Sequence, residues 1–147
     1  MKIEIKYGLL ITLGVILWTI PAHLLVPDPC SAVHQLGPLI VFNLLQIAGI
    51  FLGASARKRT SAPPVRFKTL VKTGVGISFV YGLGACVFFL LAILVQPQIM
   101  CRANGTPDLP FWKLALGAFA GLFIGTLIFG LIYSTVTAFI LADRSKA

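Results

Sequence analysis

The sequence predicts an all-α integral membrane protein, a four-helix bundle made of two antiparallel hairpins with both termini cytoplasmic. Three observations carry that expectation. Apolar residues make up 58% of the chain and charged residues 11%, where a soluble domain has about 45–50% and about 25%. The apolar residues gather into four runs, at residues 5–26, 35–56, 70–95 and 114–142. Each run can cross a hydrocarbon core of ~30 Å at ~1.5 Å per helical residue. Third, the cations collect on one side of the arrangement those runs imply.

The first run is apolar all round from Gly8 to Pro21, broken only by Thr12 and Thr19. A soluble helix would show a polar stripe at a 3.6-residue period. Lys2 and Lys6 ahead of an apolar stretch also suit a signal peptide, but such a stretch has about 7–15 residues and ends at a small-x-small site. This one is longer and runs into Pro21, His23, Pro27, Asp28 and Pro29, so a spanning helix is the expectation. Cys30 follows Pro-Asp-Pro rather than small residues, which excludes a lipoprotein reading. Trp18 reads as an interface anchor.

The first loop, residues 27–34, is short and proline-rich and closes the first hairpin. The second run leads into a loop with Arg57, Lys58, Arg59, Arg66, Lys68 and Lys72 and no acidic residue. Ser61-Ala62-Pro63-Pro64 breaks any helix there. A helix restarts from Val65 to Lys72, with Phe67 and Leu70 near the interface and the lysines snorkelling. The third run has no charge between Leu83 and Val95. The third loop, residues 96–113, carries turn signals at Pro97, Asn104-Gly105, Pro107 and Pro110. Asn104-Gly105-Thr106 also matches a glycosylation sequon and is read as a turn. Phe111-Trp112-Lys113 anchors the start of the fourth helix. The whole chain, residues 1–147, forms a single transmembrane domain.

Lys and Arg near helix ends stay on the cytoplasmic side. Ten of the twelve cations lie in the second loop or at the two termini, and only Arg102 and Lys113 lie in the third loop. Both termini are therefore expected inside, with loops one and three outside. The net charge of +8 sets topology and meets anionic lipid headgroups. A nucleic-acid partner is excluded because no basic patch interleaves with aromatics on a soluble surface.

A spanning helix ends in AGIFLGASARKR, FKTLVKTGVGISFVYGLG restarts a glycine-rich helix leading to a Gln-Pro exit, and the chain closes with GLIYSTVTAFIL. In this pattern the sequence resembles a bacterial family of short four-helix membrane proteins known only as a domain of unknown function. The resemblance covers most of the chain and implies the same topology, and a bacterial cytoplasmic (inner) membrane is the expected location. It implies no activity. The cysteine-bearing, proline-rich first loop departs from it.

Membrane helices associate through close packing, and small residues four apart permit it. The fourth helix has Gly117, Gly121 and Gly125 in one row and Gly130, Ser134 and Ala138 in another, on a different face. The third has Gly74, Ser78, Gly82 and Cys86, and the second has Gly49 and Gly53. These rows suit a dimerisation face or a substrate groove. Packing within one chain is the reading adopted for most of them, and two faces on one helix leave room for a partner.

Chemistry is sparse. Intramembrane ionisable groups usually mark function, yet Glu4, Asp28, Asp108 and Asp143 all lie at ends or in loops. A small proton-coupled exporter would need a membrane-embedded carboxylate. Asn43 and Gln46, three apart and so on one helical face, are candidates for a polar cavity or, more plainly, interhelical hydrogen bonds. Tyr133, Ser134, Thr135 and Thr137 read likewise. His23 and His34 have no metal-ligand spacing and no carboxylate for a catalytic triad, so no catalytic residue, metal or cofactor is expected. Cys30 and Cys101 are both expected outside, in oxidising space, and are candidates for a disulfide. Cys86 is read as a structural thiol. The expected function is non-enzymatic: an accessory or structural subunit packing with lipids, other membrane proteins or itself. The alternative is a small carrier or pore acting as an oligomer, with Asn43, Gln46 and the glycine rows as its path.

Overall fold

The computed structural model describes residues 2–26, 28, 30–62, 64–95 and 110–142. These form four helices, α1 (Ile3–Leu25), α2 (Ala32–Thr60), α3 (Phe67–Val95) and α4 (Phe111–Leu141), and among the described residues there is no strand. All four are long and apolar enough to cross a membrane. Each extends beyond, or starts before, its apolar run. Arg57, Lys58 and Arg59 lie in the last turns of α2 rather than in a loop, and Lys68 and Lys72 lie in the first turns of α3. His34, expected in the first loop, sits in the first turn of α2. The α2 helix stops where Ser61 turns to an extended backbone just ahead of Pro63-Pro64, since a proline disfavours the helical conformation of the residue before it.

The surface and core are sorted as a bilayer requires. Leu17, Leu24, Leu25, Leu44, Leu94, Phe139 and many other large apolar side chains are exposed, whereas Thr12, Gln46, Thr73, Ser78, Thr126, Ser134 and Thr137 are buried. Most of these buried hydroxyls are satisfied locally, Thr73 by Thr69 O (3.0 Å) among them. Thr12 donates to Gly8 O (3.0 Å), Ser78 to Gly74 O (3.1 Å), Thr126 to Leu122 O (2.7 Å) and Ser134 to Gly130 O. Such i−4 bonds let a polar side chain lie in a helix where water is absent.

Helices α2 and α3 form the centre. Each touches the other three, while α1 and α4 do not touch each other among the described residues. Close approach follows small residues. On the α1 side, Ile11 packs over Gly49, Leu45 over Gly14, and Tyr7 beside Gly53. A Cβ at Gly8 would sit 2.6 Å from Val80 Cβ, and one at Gly84 would sit 2.6 Å from Thr12 Oγ1. On the other side Gly74 meets Ser134, Ser78 meets Gly130, and Gly82 meets Phe123 and Thr126. The expected packing row of α3 therefore lies against α4, through the second of the two α4 rows.

The first α4 row behaves differently. A Cβ at Gly117, Gly121 or Gly125 would meet no described atom within 4 Å. The α3 interface takes the Gly130–Ser134–Ala138 face instead, and the two rows lie ~140° apart on the helix at ~100° per residue, so close packing through the first row would need a partner outside the described residues. The fourth span is also the least enclosed, with 11% of its most apolar stretch buried against 39% for α3.

Candidate functional site

Gly121 and Gly125 line a half-open groove of about 490 Å³ between α2, α3 and α4. It runs from Pro38, Ile93 and Ala115 down to Gln46, Tyr81 and Thr126. Its walls are mainly apolar, with Phe42 and Leu39 from α2, Phe89 and Leu90 from α3, and Phe119, Leu122 and Phe129 from α4. Phe42 and Phe89 lie with ring centroids 5.9 Å apart. The groove exists because α4 keeps to α3 along its length, where Cys86 Sγ lies 3.7 Å from Phe119 O, while the glycines on its α2-facing flank fill nothing.

The polar end of the groove is built by α2. Gln46 is 3% exposed and its Nε2 donates to Thr126 O (2.9 Å) and to Ser78 Oγ (3.2 Å). Asn43 Nδ2 donates to Leu39 O (2.6 Å), and Tyr133 Oη donates to Asn43 Oδ1 (2.8 Å). Asn43 and Gln46 both line this groove, and both also bond to other helices or turns. The sequence pointed to the two amides. It did not identify their partners, because Gln46 binds a backbone carbonyl, which every residue carries, and Tyr133 reaches Asn43 across 90 positions of chain.

A second polar cluster lies at the Lys2/Thr60 end. Arg57 Nη2 pairs with Glu4 Oε1 at 2.8 Å, and Arg57 Nε donates to Thr73 Oγ1 at 3.2 Å. One guanidinium fork thereby ties α1, α2 and α3. Lys58 Nζ donates to Leu141 O at 2.8 Å, at the C-terminal end of α4, where the last carbonyls lack helical partners. No sequence signal singled out Glu4 as the partner of Arg57.

At the opposite end, the His23 and His34 rings meet edge-on with centroids 5.8 Å apart. His34 Nδ1 lies 2.9 Å from Ser31 Oγ, and His34 Nε2 is buried without a hydrogen-bond partner among the described residues. Among the described residues no three His, Cys, Asp or Glu side chains come together in a group that could hold a metal ion. The Cys30 backbone N–H donates to Asp28 Oδ1 (2.9 Å) in the first loop. Cys101 lies outside the described residues, and so does the Cys30–Cys101 pairing. Cys86 is a free, buried thiol.

Comparison with protein-family models, curated proteins and solved structures gave no match.

Proposed function

We propose that this chain is a non-enzymatic accessory or structural subunit of a membrane, holding lipids or other membrane proteins against the exposed flank of α4. The observation that carries the reading is the open Gly117–Gly121–Gly125 row beside the groove. Membrane helices gain little from burying leucine against lipid tails, so a smooth small-residue face has value only where something approaches closely. The chain is taken to consist of two antiparallel hairpins, a reading supported by the pairing of Tyr7 with Gly53 and Trp18 with Gly37 in the first, and of Gly74 with Ser134 and Gly82 with Phe123 in the second. Both termini are placed in the cytoplasm on the charge rule, in a bacterial inner membrane like that of the family the sequence resembles. The polar side chains that line the groove, Asn43, Gln46 and Thr126, are amide and hydroxyl groups engaged in structural hydrogen bonds, which favours a non-catalytic role.

Native mass spectrometry of the full chain extracted in mild detergent tests this. Wild type should retain a stoichiometric added mass, and Gly121→Leu should lose it without loss of the folded chain. A bare chain in both cases would contradict the reading. A second reading, a carrier acting as an oligomer, draws on the polar end that Asn43 and Gln46 give the groove. Solute flux through the purified chain in liposomes, above that of protein-free vesicles, would favour it.

A further inference from the structure

We infer that the groove is a binding site for one long-chain amphiphile with a hydrogen-bond donor at its inner end, such as a fatty alcohol or another single-chain lipid bearing a hydroxyl. The inference deepens the accessory-subunit reading and rests on it, by naming the chemistry of what is held.

Three observations carry it. The volume of about 490 Å³ lies in the range of small-molecule sites, about 300–1,000 Å³. A helix of ~10–12 Å diameter with its side chains is too thick to descend between α2 and α4 to Gln46. A hydrocarbon chain is not. The wall residues Phe42, Phe89, Phe119 and Phe129 offer the apolar lining that such a chain would meet.

The second observation is the Gln46 amide. The side chain is more than nine-tenths buried and lines the groove. Both of its hydrogen bonds are donated by Nε2, which leaves the carbonyl Oε1 without a donor among the described residues. Oε1 is not sealed by protein, since among the described residues His34 Nε2 is the one fully enclosed side-chain atom without a partner; it is open to the groove, where lipid tails offer no donor and an unmade hydrogen bond costs ~1–3 kcal/mol. A hydroxyl brought in by a ligand supplies the missing donor. This selects an alcohol over an alkane, and an alcohol over a carboxylate or ether, which bring only acceptors.

The third observation is room. The glycines on the α4 flank hold the groove open, because a Cβ at Gly121 or Gly125 meets no described atom within 4 Å. The same space is where a larger side chain would block the ligand without disturbing the helices.

The test uses the full chain in nanodiscs and hexadecanol carrying a photoactivatable diazirine. Labelling should saturate at one probe per chain, and the labelled peptides should come from the groove walls on α2, α3 and α4. Unlabelled hexadecanol should compete at least tenfold better than hexadecane. Gly121→Leu and Gly125→Leu should each abolish saturable labelling while thermal stability stays at the wild-type value. Three results would overturn the inference. One is diffuse labelling of all four helices at the level given by bulk lipid. Another is equal competition by alkane and alcohol. The third is labelling that survives both leucine variants. If native mass spectrometry shows a partner chain lost in Gly121→Leu while hexadecanol labels diffusely, the ligand assignment fails and the accessory reading stands. If wild type carries no added mass from the membrane although hexadecanol binds saturably, the site stands and the accessory reading fails.

Discussion

The two glycine rows of α4 should respond in opposite ways to the same substitution. At Gly130 an added Cβ meets Ser78 Cβ and Oγ inside contact distance and lies 3.0 Å from Gln46 Nε2. Forcing a methyl group into a packed seam costs ~1–3 kcal/mol. Moving Gln46 also weakens its two bonds to Ser78 and Thr126, and interhelical hydrogen bonds in membranes average ~0.6 kcal/mol each. Set against the ~1 kcal/mol that alanine gains over glycine inside a helix, Gly130→Ala should lower stability by about 1–3 kcal/mol. Gly121→Ala meets nothing and replaces a poor helix former, so it should leave stability unchanged or raise it by up to about 1 kcal/mol. Reversible unfolding in mixed micelles by SDS titration, followed by circular dichroism, measures both. Adding Ser78→Gly removes the atoms that Gly130→Ala strikes, and the double variant should recover part of the loss through coupling between touching sites. Equal effects at Gly121 and Gly130 would refute the assignment of the inner row to the α3 seam and of the outer row to open space.

Glu4→Gln should cost about 1 kcal/mol in the same assay, because the Arg57–Glu4 pair is only partly shielded, at 36% and 22% side-chain exposure; no change would show that the pair contributes nothing. Reporter fusions after residue 60 should score cytoplasmic and after residue 104 external; the reverse would overturn the topology. Cys30 and Cys101 should form a disulfide closing a loop of roughly 70 residues, worth about 4 kcal/mol in the loop-entropy model. Intact mass of the unreduced, alkylated chain should show one modified thiol, Cys86, whereas three would exclude the crosslink.

The four helices were legible because a bilayer imposes length and apolarity on each span independently of its neighbours. Their ends were less so: the apolar run of α2 closes at residue 56, yet the helix carries on through Arg57, Lys58 and Arg59 to Thr60, since cations suit a helix C-terminus. The polar residues Asn43 and Gln46 stood out because amides are rare in a span. Gly74, Ser78 and Gly82 stood out by spacing, and they do meet α4. Spacing could not rank the two rows on α4, however. Gly117–Gly121–Gly125 has the stronger pattern, all glycine, yet the seam with α3 uses Gly130 and Ser134. The choice depends on how Ser78 and Gln46 on other helices place their hydroxyl and amide, which no local pattern encodes. Glu4 looked like a terminal charge for the same reason: its partner lies 53 positions away.

The most direct test of the central claim is site-specific photocrosslinking in native membranes. A benzophenone attached at Gly121→Cys, in a chain whose native cysteines are replaced by serine, samples the open flank of α4. The same probe at Ile124→Cys, a half-exposed position at the same depth that does not line the groove, samples the lipid-facing surface of that helix. One discrete adduct at residue 121, a partner chain or a single bound amphiphile, with only heterogeneous lipid adducts at residue 124, is the predicted result. Indistinguishable lipid adducts at both positions would mean that nothing is held there, and would contradict the account.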